Sequence, residues 1–413
     1  MAVKVTRQPD KIALLGAPTS AAAMSPGNER APVALRAAGL SDRLRAAGFE
    51  VIDHGDDPVQ LSQPDEESPR ARNLARVVKS LEALRPRVEI AVKSGALPII
   101  LTGDCTIALA TVAGVRRYYH NVSMIYMDRD ADLNIPATTP SGCVDGMVVA
   151  HLTGRGAAEL VRFWGEPPLV RDPDIALFGV DRLDPPEEEM LRRAPIRVFS
   201  ASDIRRQGAA AAARTALDRV HAARNEFIVH LDVDVIENFQ GTNYPGSGGL
   251  TLDDVREALE VFIVEPRLVA INVAAYNPEK DADGNGAKQI IELLASVLAL
   301  RRAALAKPSA EPVAVAAAAG ATAQREPELT PEPPVPAPEV RGVAASFTAG
   351  EAWTSDSLEP ESDTPEGQTA EASESAESPE AADAAEAASE SNESIHDLTP
   401  SEGSSDGSEN SHS

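Results

Sequence analysis

Residues 126–146 read Y-M-D-R-D-A-D-L-N-I-P-A-T-T-P-S-G-C-V-D-G, and residues 229–234 read V-H-L-D-V-D. Asp128, Asp130 and Asp132 alternate directly after the apolar run Val122–Met127. Asp232 and Asp234 alternate directly after Phe227–Leu231. Strand side chains alternate faces, so residues of one parity point the same way. Each stretch is therefore expected to close a strand with carboxylates aimed at one side. Five carboxylates converging without counter-charge repel and are pushed up in pKa. A divalent cation relieves that repulsion, and an all-oxygen set suits Mg, Ca or Mn.

Outward from these stretches the chain alternates between short apolar runs and longer amphipathic ones. Strands are expected at Lys11–Leu15, Phe49–Ile52, Leu97–Leu101, Ser123–Met127, Asp174–Phe178, Ile196–Phe199, Glu226–Leu231 and Leu268–Val273. Helices are expected at Ala31–Ala47, Ala71–Lys93, Thr106–Tyr118, Gly146–Leu152, Pro186–Arg193, Ala201–Ala223, Leu252–Val261 and Gln289–Ala306. Near-continuous apolar strands separated by helices predict an α/β fold, a parallel sheet of about eight strands covered on both faces. Ligands of such sheets bind beyond the carboxyl ends of the strands. Gly103-Asp104-Cys105, Asp128 and Asp232 all follow directly on expected strands.

These motifs resemble those of the arginase (ureohydrolase) family, whose members carry G-G-D-H, D-A-H-x-D, S-G-N-x-H-G and S-F-D-V-D, then a glutamate just before an N-P pair. The matching stretches here are Thr102–Cys105, Asp128–Asp132, Ser141–Gly146, His230–Asp234 and Ala275-Tyr276-Asn277-Pro278. Gly27–Asp56 also looks like the family's opening, and the resemblance covers roughly residues 9–302. It implies the three-layer fold of that family and a metal-dependent hydrolase of a C–N bond in a small, nitrogen-rich, amidino- or guanidino-type substrate. It further implies a divalent cofactor, manganese, at a two-ion site that generates the attacking nucleophile, and a homo-oligomer, trimer or hexamer.

Carried over position by position, Asp128, Asp132, Asp232 and Asp234 match the family's four aspartate ligands. Cys105 and Asp130 stand at its two histidine ligands, so the implied metal set is five carboxylates and a thiol. Asp145 stands at the proton-shuttling histidine. A carboxyl group of raised pKa can do that work, whereas the bland alternative makes Asp145 the N-cap of the next helix. Asn134, Thr139, Ser141 and Asp184 match positions that recognise the amino-acid end of the substrate; the alternatives are loop residues serving their own backbone and, for Asp184, a helix cap. Ala275 replaces the glutamate that pairs with a guanidinium, which sets this chain apart from enzymes acting on arginine or agmatine. Cys143 holds a loop position normally occupied by Asn. Arg129 either folds back onto the carboxylates in place of a metal ion or points away into a salt bridge. His230 is either a replacement ligand or a satisfied buried histidine. Losing all three site histidines also keeps open a second function class, a catalytically inactive arginase-fold protein that binds or scaffolds.

Composition divides the 413 residues into a short N-terminal segment (1–10), the resembling domain (11–302) and a tail (303–413). The tail is Ala, Glu, Ser, Pro and Thr with 23 acidic and 3 basic residues. Its net charge of −20 leaves only −6 of the chain's −26 for the first 302 residues. Such a composition buries too little apolar surface to offset its ordering entropy, so disorder is expected. No apolar run reaches membrane-spanning length, and the N-terminus lacks a signal-type apolar region. Two cysteines make no disulfide framework, so the expected compartment is the cytoplasm. The absence of a basic stripe argues against nucleic acid as a partner and leaves a small molecule.

Overall fold

The computed structural model describes residues 5–221 and 225–306. Its eight strands are β1 (Lys11–Ala17), β2 (Glu50–Asp56), β3 (Leu97–Thr102), β4 (Val122–Met127), β5 (Ile175–Val180), β6 (Arg197–Ser200), β7 (Glu226–Asp232) and β8 (Leu268–Ala274). They pair in parallel throughout, in the order β2-β1-β3-β8-β7-β4-β5-β6. Every residue of β3, β4, β5 and β8 is buried, as their unbroken apolar runs require of strands covered on both faces.

The helices are α1 (Ala31–Ala37), α2 (Leu40–Ala46), α3 (Leu74–Lys93), α4 (Ile107–Arg116), α5 (Val148–Leu152), α6 (Ala158–Val161), α7 (Pro185–Arg193), α8 (Ala201–Gln207), α9 (Ala209–His221), α10 (Leu252–Ile263) and α11 (Asn285–Ala306). Two apolar layers result. Leu35, Leu44, Ile204, Ala212, Phe262 and Leu294 of α1, α2 and α8–α11 pack on one face of the sheet. Leu81, Leu109, Val149 and Leu160 of α3–α6 pack on the other. Among the described residues no helix is long and apolar enough to cross a membrane.

The expected α/β class and eight strands are present; β2 runs four residues further than expected, to Asp56. Two expected helices are each split. Gly39 (φ +94°) separates α1 from α2, and Gly208 (φ +87°) separates α8 from α9. Both adopt the left-handed backbone that glycine enters at least cost, which ends a helix rather than continuing it. The domain continues past the expected boundary at Arg302, because α11 runs to Ala306 and buried Arg301 donates to the carbonyls of Ile263 (2.7 Å), Glu265 (2.8 Å) and Leu268 (3.3 Å). At the other end Gln8 N donates to Gly95 O (2.8 Å) and Glu50 N to Asp10 O (2.8 Å), tying residues before β1 to the sheet. The expected disordered tail, from residue 307 onward, lies outside the described residues.

Candidate active site

Four strands, β3, β7, β4 and β5, deliver most of the site from their carboxyl ends. Met127 pairs with Leu231, so Asp128 and Asp232 emerge side by side at the ends of β4 and β7. Cys105 follows β3, and Arg182 and Asp184 follow β5. They open on a cavity of about 570 Å³ whose lining includes Cys105, Asp128, Asp130, Asp132, Asp232 and Asp234, together with Ser141, Asp145, Arg182 and Asp184.

Simple strand alternation is not what aims the aspartates. β4 ends at Met127, and the next residues turn so that Asp130 N donates to Asp128 Oδ1 (2.8 Å). After β7, Asp234 N likewise donates to Asp232 Oδ1 (2.7 Å) at the start of a short 3-10 turn, Val233–Val235. In both D-x-D stretches the first carboxylate accepts the amide two residues on, the local closure that Asp favours in turns. Two overlapping donor sets arise. Cys105, Asp128 and Asp232 offer ligand atoms all within 4.8 Å of one another, and so do Asp128, Asp130 and Asp234. Asp132 belongs to neither set. Its backbone has φ +52°, and its Oδ2 accepts the Tyr126 hydroxyl at 2.5 Å.

The cluster is electrostatically costly as it stands. Burial first, and then the neighbouring Asp232, push Asp128 well above the usual carboxylate range; burial and Asp234 do the same to Asp232. The Cys105 thiol is raised by burial and by Asp232, and it donates to Asp232 Oδ2 at 2.9 Å. Burial raises Asp130 to about 6 even though Arg182 pulls it down. Asp234 is 2% exposed, and its Oδ1 is buried without a hydrogen-bond partner. A crowded set of buried carboxylates, a thiol and an unsatisfied carboxylate oxygen fits a divalent cation, whose binding would displace the thiol proton.

The cation bonded to the cluster is a residue that the sequence motifs do not single out. Arg182 Nη2 donates to Asp130 and, at 3.1 Å, to Asp234. Arg129, for which the sequence leaves open folding back onto the carboxylates or pointing away into a salt bridge, runs under the 246–249 loop, where a Cβ on Gly246 would lie 2.6 Å from its Nη1 and Nη2. Its Nε and Nη1 have no hydrogen-bond partner and it makes no salt bridge among the described residues, although its charge, with that of Arg182, opposes the burial-driven rise of the Asp234 pKa. His230 is buried and stacks on Tyr126, with centroids 4.4 Å apart and planes 3° from parallel, and burial lowers its pKa to about 3. It joins neither donor set. The signal that would have found Arg182 is its place in D-R-L-D just beyond β5, at the same sheet edge as the aspartates.

Asp145 does not cap a helix with its side chain. Its Oδ1 accepts Cys105 N (2.8 Å), and burial with neighbouring Asp104 raises it to about 8. Of the four residues matched to substrate recognition, Ser141 and Asp184 line the cavity. Thr139 Oγ1 accepts Ser141 N (3.3 Å) and Gly142 N (3.0 Å), holding the loop. Asn134 Nδ2 donates to Asp184 Oδ2 (2.8 Å), while Asp184 is also the N-cap of α7. Cys143 lines the cavity beside Arg72, whose Nη2 lies 2.6 Å from its sulfur. Ala275 is buried at φ +64° and contributes nothing to the cavity lining.

Comparison with known proteins agrees with this geometry. A model of the arginase family matches residues 10–300. An arginase of Brevibacillus brevis is 31% identical over 290 residues, covering 69% of this chain and 97% of that protein. The crystal structure of an arginase from Bacillus cereus superposes with a TM-score of 0.65 at 28% identity, over 70% of this chain and 98% of that one. Proclavaminate amidino hydrolase from Streptomyces clavuligerus shares the fold, with a TM-score of 0.56 at 18% identity over 73% of this chain and 96% of that one.

Proposed function

Since this chain belongs to the arginase family of hydrolases, we propose that it is a metal-dependent hydrolase cleaving a C–N bond in a small amidino-type substrate other than arginine. The observation that carries this reading is the pair of donor sets sharing Asp128 at the carboxyl edge of the sheet. Cys105, Asp128, Asp130, Asp232 and Asp234 are the residues that would hold the metal, with Asp132 held just outside by Tyr126. A bound divalent ion supplies Lewis acidity and makes water more acidic. The family resemblance points to manganese, while a thiol among the donors suits zinc or cobalt as well.

The chain's own groups then divide the remaining work. Asp145 has one oxygen fixed by the Cys105 amide and is the residue proposed to carry the proton to the departing nitrogen from its other oxygen. Ser141 and Asp184, on the cavity wall, orient the distal end of the substrate. Asn134 and Thr139 act one step back, positioning Asp184 and the 139–143 loop. Specificity departs from arginine because the guanidinium-pairing position is Ala275. The next residue offers no substitute, since Tyr276 spends its hydroxyl on Asp281 (2.8 Å). A cation that leaves water without a charged partner loses the stronger class of hydrogen bond.

The test is release of ammonia or urea from a panel of amidines and guanidines by the full chain loaded in turn with Mn²⁺, Co²⁺ and Zn²⁺. Chelator-sensitive turnover of at least one amidine is expected, with L-arginine and agmatine slowest and with Asp232→Asn inactive. Turnover unaffected by chelation, or no turnover on any member, overturns the proposal.

A further inference from the structure

We propose that the guanidinium of Arg182 stands in for one of the two metal ions that the family resemblance implies, so that this chain holds a single divalent cation, at Cys105, Asp128 and Asp232. The inference rests on the reading of the cluster as a metal centre and concerns how many ions it takes and where.

The two donor sets differ in what already occupies them. In the set Asp128, Asp130 and Asp234, Arg182 Nη2 bonds to both Asp130 and Asp234, the two carboxylates that this set does not share with its neighbour. An ion there would compete with the guanidinium for the same two carboxylates. Asp234 is 2% exposed, so its half of the arrangement is screened little by solvent, whereas Arg182 and Asp130 reach the cavity water with side-chain exposures of 38% and 40%. Arginine is suited to the substitution. It stays charged at any working pH, and its donor fork matches carboxylate geometry. In the other set the hydrogen-bond donors to the ligand atoms among the described residues carry no charge: the Cys105 thiol to Asp232, and the turn amides of residues 130 and 234. No salt bridge reaches Cys105, Asp128 or Asp232 among the described residues, so this is where a cation remains to be supplied.

Two further observations agree. Asp130 replaces what the family resemblance assigns as a histidine ligand, and a carboxylate can pair with a guanidinium where a neutral imidazole cannot. The charge change at 130 and the cation at 182 are thus one compensated pair. Asp234 Oδ1, buried and unpartnered, lies on the carboxylate whose other oxygen Arg182 binds. Arg182 therefore neutralises Asp234 through one oxygen only.

Equilibrium dialysis of the full chain against Mn²⁺, Co²⁺ and Zn²⁺, followed by elemental analysis, reads the number directly. One ion per chain is expected in the wild type and in Arg182→Lys, rising to two in Arg182→Gln. Two ions in the wild type, or a stoichiometry that stays at one in a folded Arg182→Gln, overturns the inference while leaving the metal-dependent reading intact. No binding of any of the three ions to any variant instead overturns the metal reading itself. Location is read separately, and without relying on the Arg182 variants, from cobalt. A thiolate-to-Co²⁺ charge-transfer band is expected in the wild type and lost in Cys105→Ser. Its absence from a cobalt-loaded wild type overturns the assignment to Cys105, Asp128 and Asp232.

Discussion

Replacing Asp128 with asparagine should stabilise the metal-free protein and destroy its ability to be stabilised by metal. Asp128 belongs to both donor sets, with ligand atoms inside 4.8 Å of those on Cys105, Asp130, Asp232 and Asp234. Two unit charges at that separation repel by about 3.5 kcal/mol at an effective dielectric constant of about 20. Protonation relieves part of this, because burial and Asp232 already drive Asp128 toward its neutral form. A gain of about 2–3 kcal/mol therefore remains for the neutral isostere. Little is lost in exchange, since the amide oxygen of asparagine can accept Asp130 N as Asp128 Oδ1 does at 2.8 Å. In a domain of this size each kcal/mol moves the melting temperature by roughly 2 °C, so Asp128→Asn should melt about 5 °C above the wild type in chelator. At metal concentrations about a hundred times Kd the wild type alone recovers about 2.7 kcal/mol, and the gap should close. Thermal unfolding with and without chelator measures both. A variant that melts below the wild type in chelator would refute the claim that the cluster is repulsive without a cation.

Other outcomes follow from single contacts. Tyr126→Phe removes the 2.5 Å bond that holds Asp132 outside both donor sets, and calorimetric titration should show metal affinity changed by less than about tenfold, below the range for losing a group that orients a metal ligand itself. His151 is buried with its pKa lowered from 6.5 to about 4, Nε2 accepting Ala157 N at 3.1 Å. The unfolded chain therefore binds more protons between those values, and the stability present above pH 6.5 is lost as pH falls toward 4. Denaturant titration should show about 2 kcal/mol lost at this site by pH 5, with a flatter profile in His151→Gln. Ending the chain after Ala306 should leave the melting temperature within a few degrees, because the remaining residues are poor in the large apolar groups that burial requires; a large drop would show that they stabilise the domain.

The sheet was legible because each strand is a self-contained signal: Leu97–Leu101 or Leu268–Val273 can be buried on both faces and little else. Helix lengths were less so. Gly39 and Gly208 sit inside amphipathic runs, and only their positive φ marks them as breaks. The aspartates of the site were found, but by an incomplete rule. Strand parity accounts for none of the turn beyond Met127, where side-chain-to-backbone bonds do the aiming. Arg182 was missed because its partners are about fifty residues away on neighbouring strand ends, and pairing at that distance leaves no local pattern. Arg129, adjacent to the aspartates in sequence, acts on Asp234 through its charge and lies under the 246–249 loop. For Asp184 the alternatives of capping and cavity lining do not exclude each other: it caps α7, bonds Asn134 and lines the cavity at once.

The most direct test of the account is anomalous diffraction from crystals of the full chain soaked in Co²⁺ or Zn²⁺, collected at the absorption edge of the soaked metal. The account predicts one strong peak within bonding distance of Cys105 Sγ and of the Asp128 and Asp232 carboxylates, with Arg182 still bound to Asp130 and Asp234. A crystal that accumulates metal elsewhere but shows no peak at the carboxyl ends of β3, β4 and β7 would contradict the assignment of this cluster as the metal centre of a hydrolase.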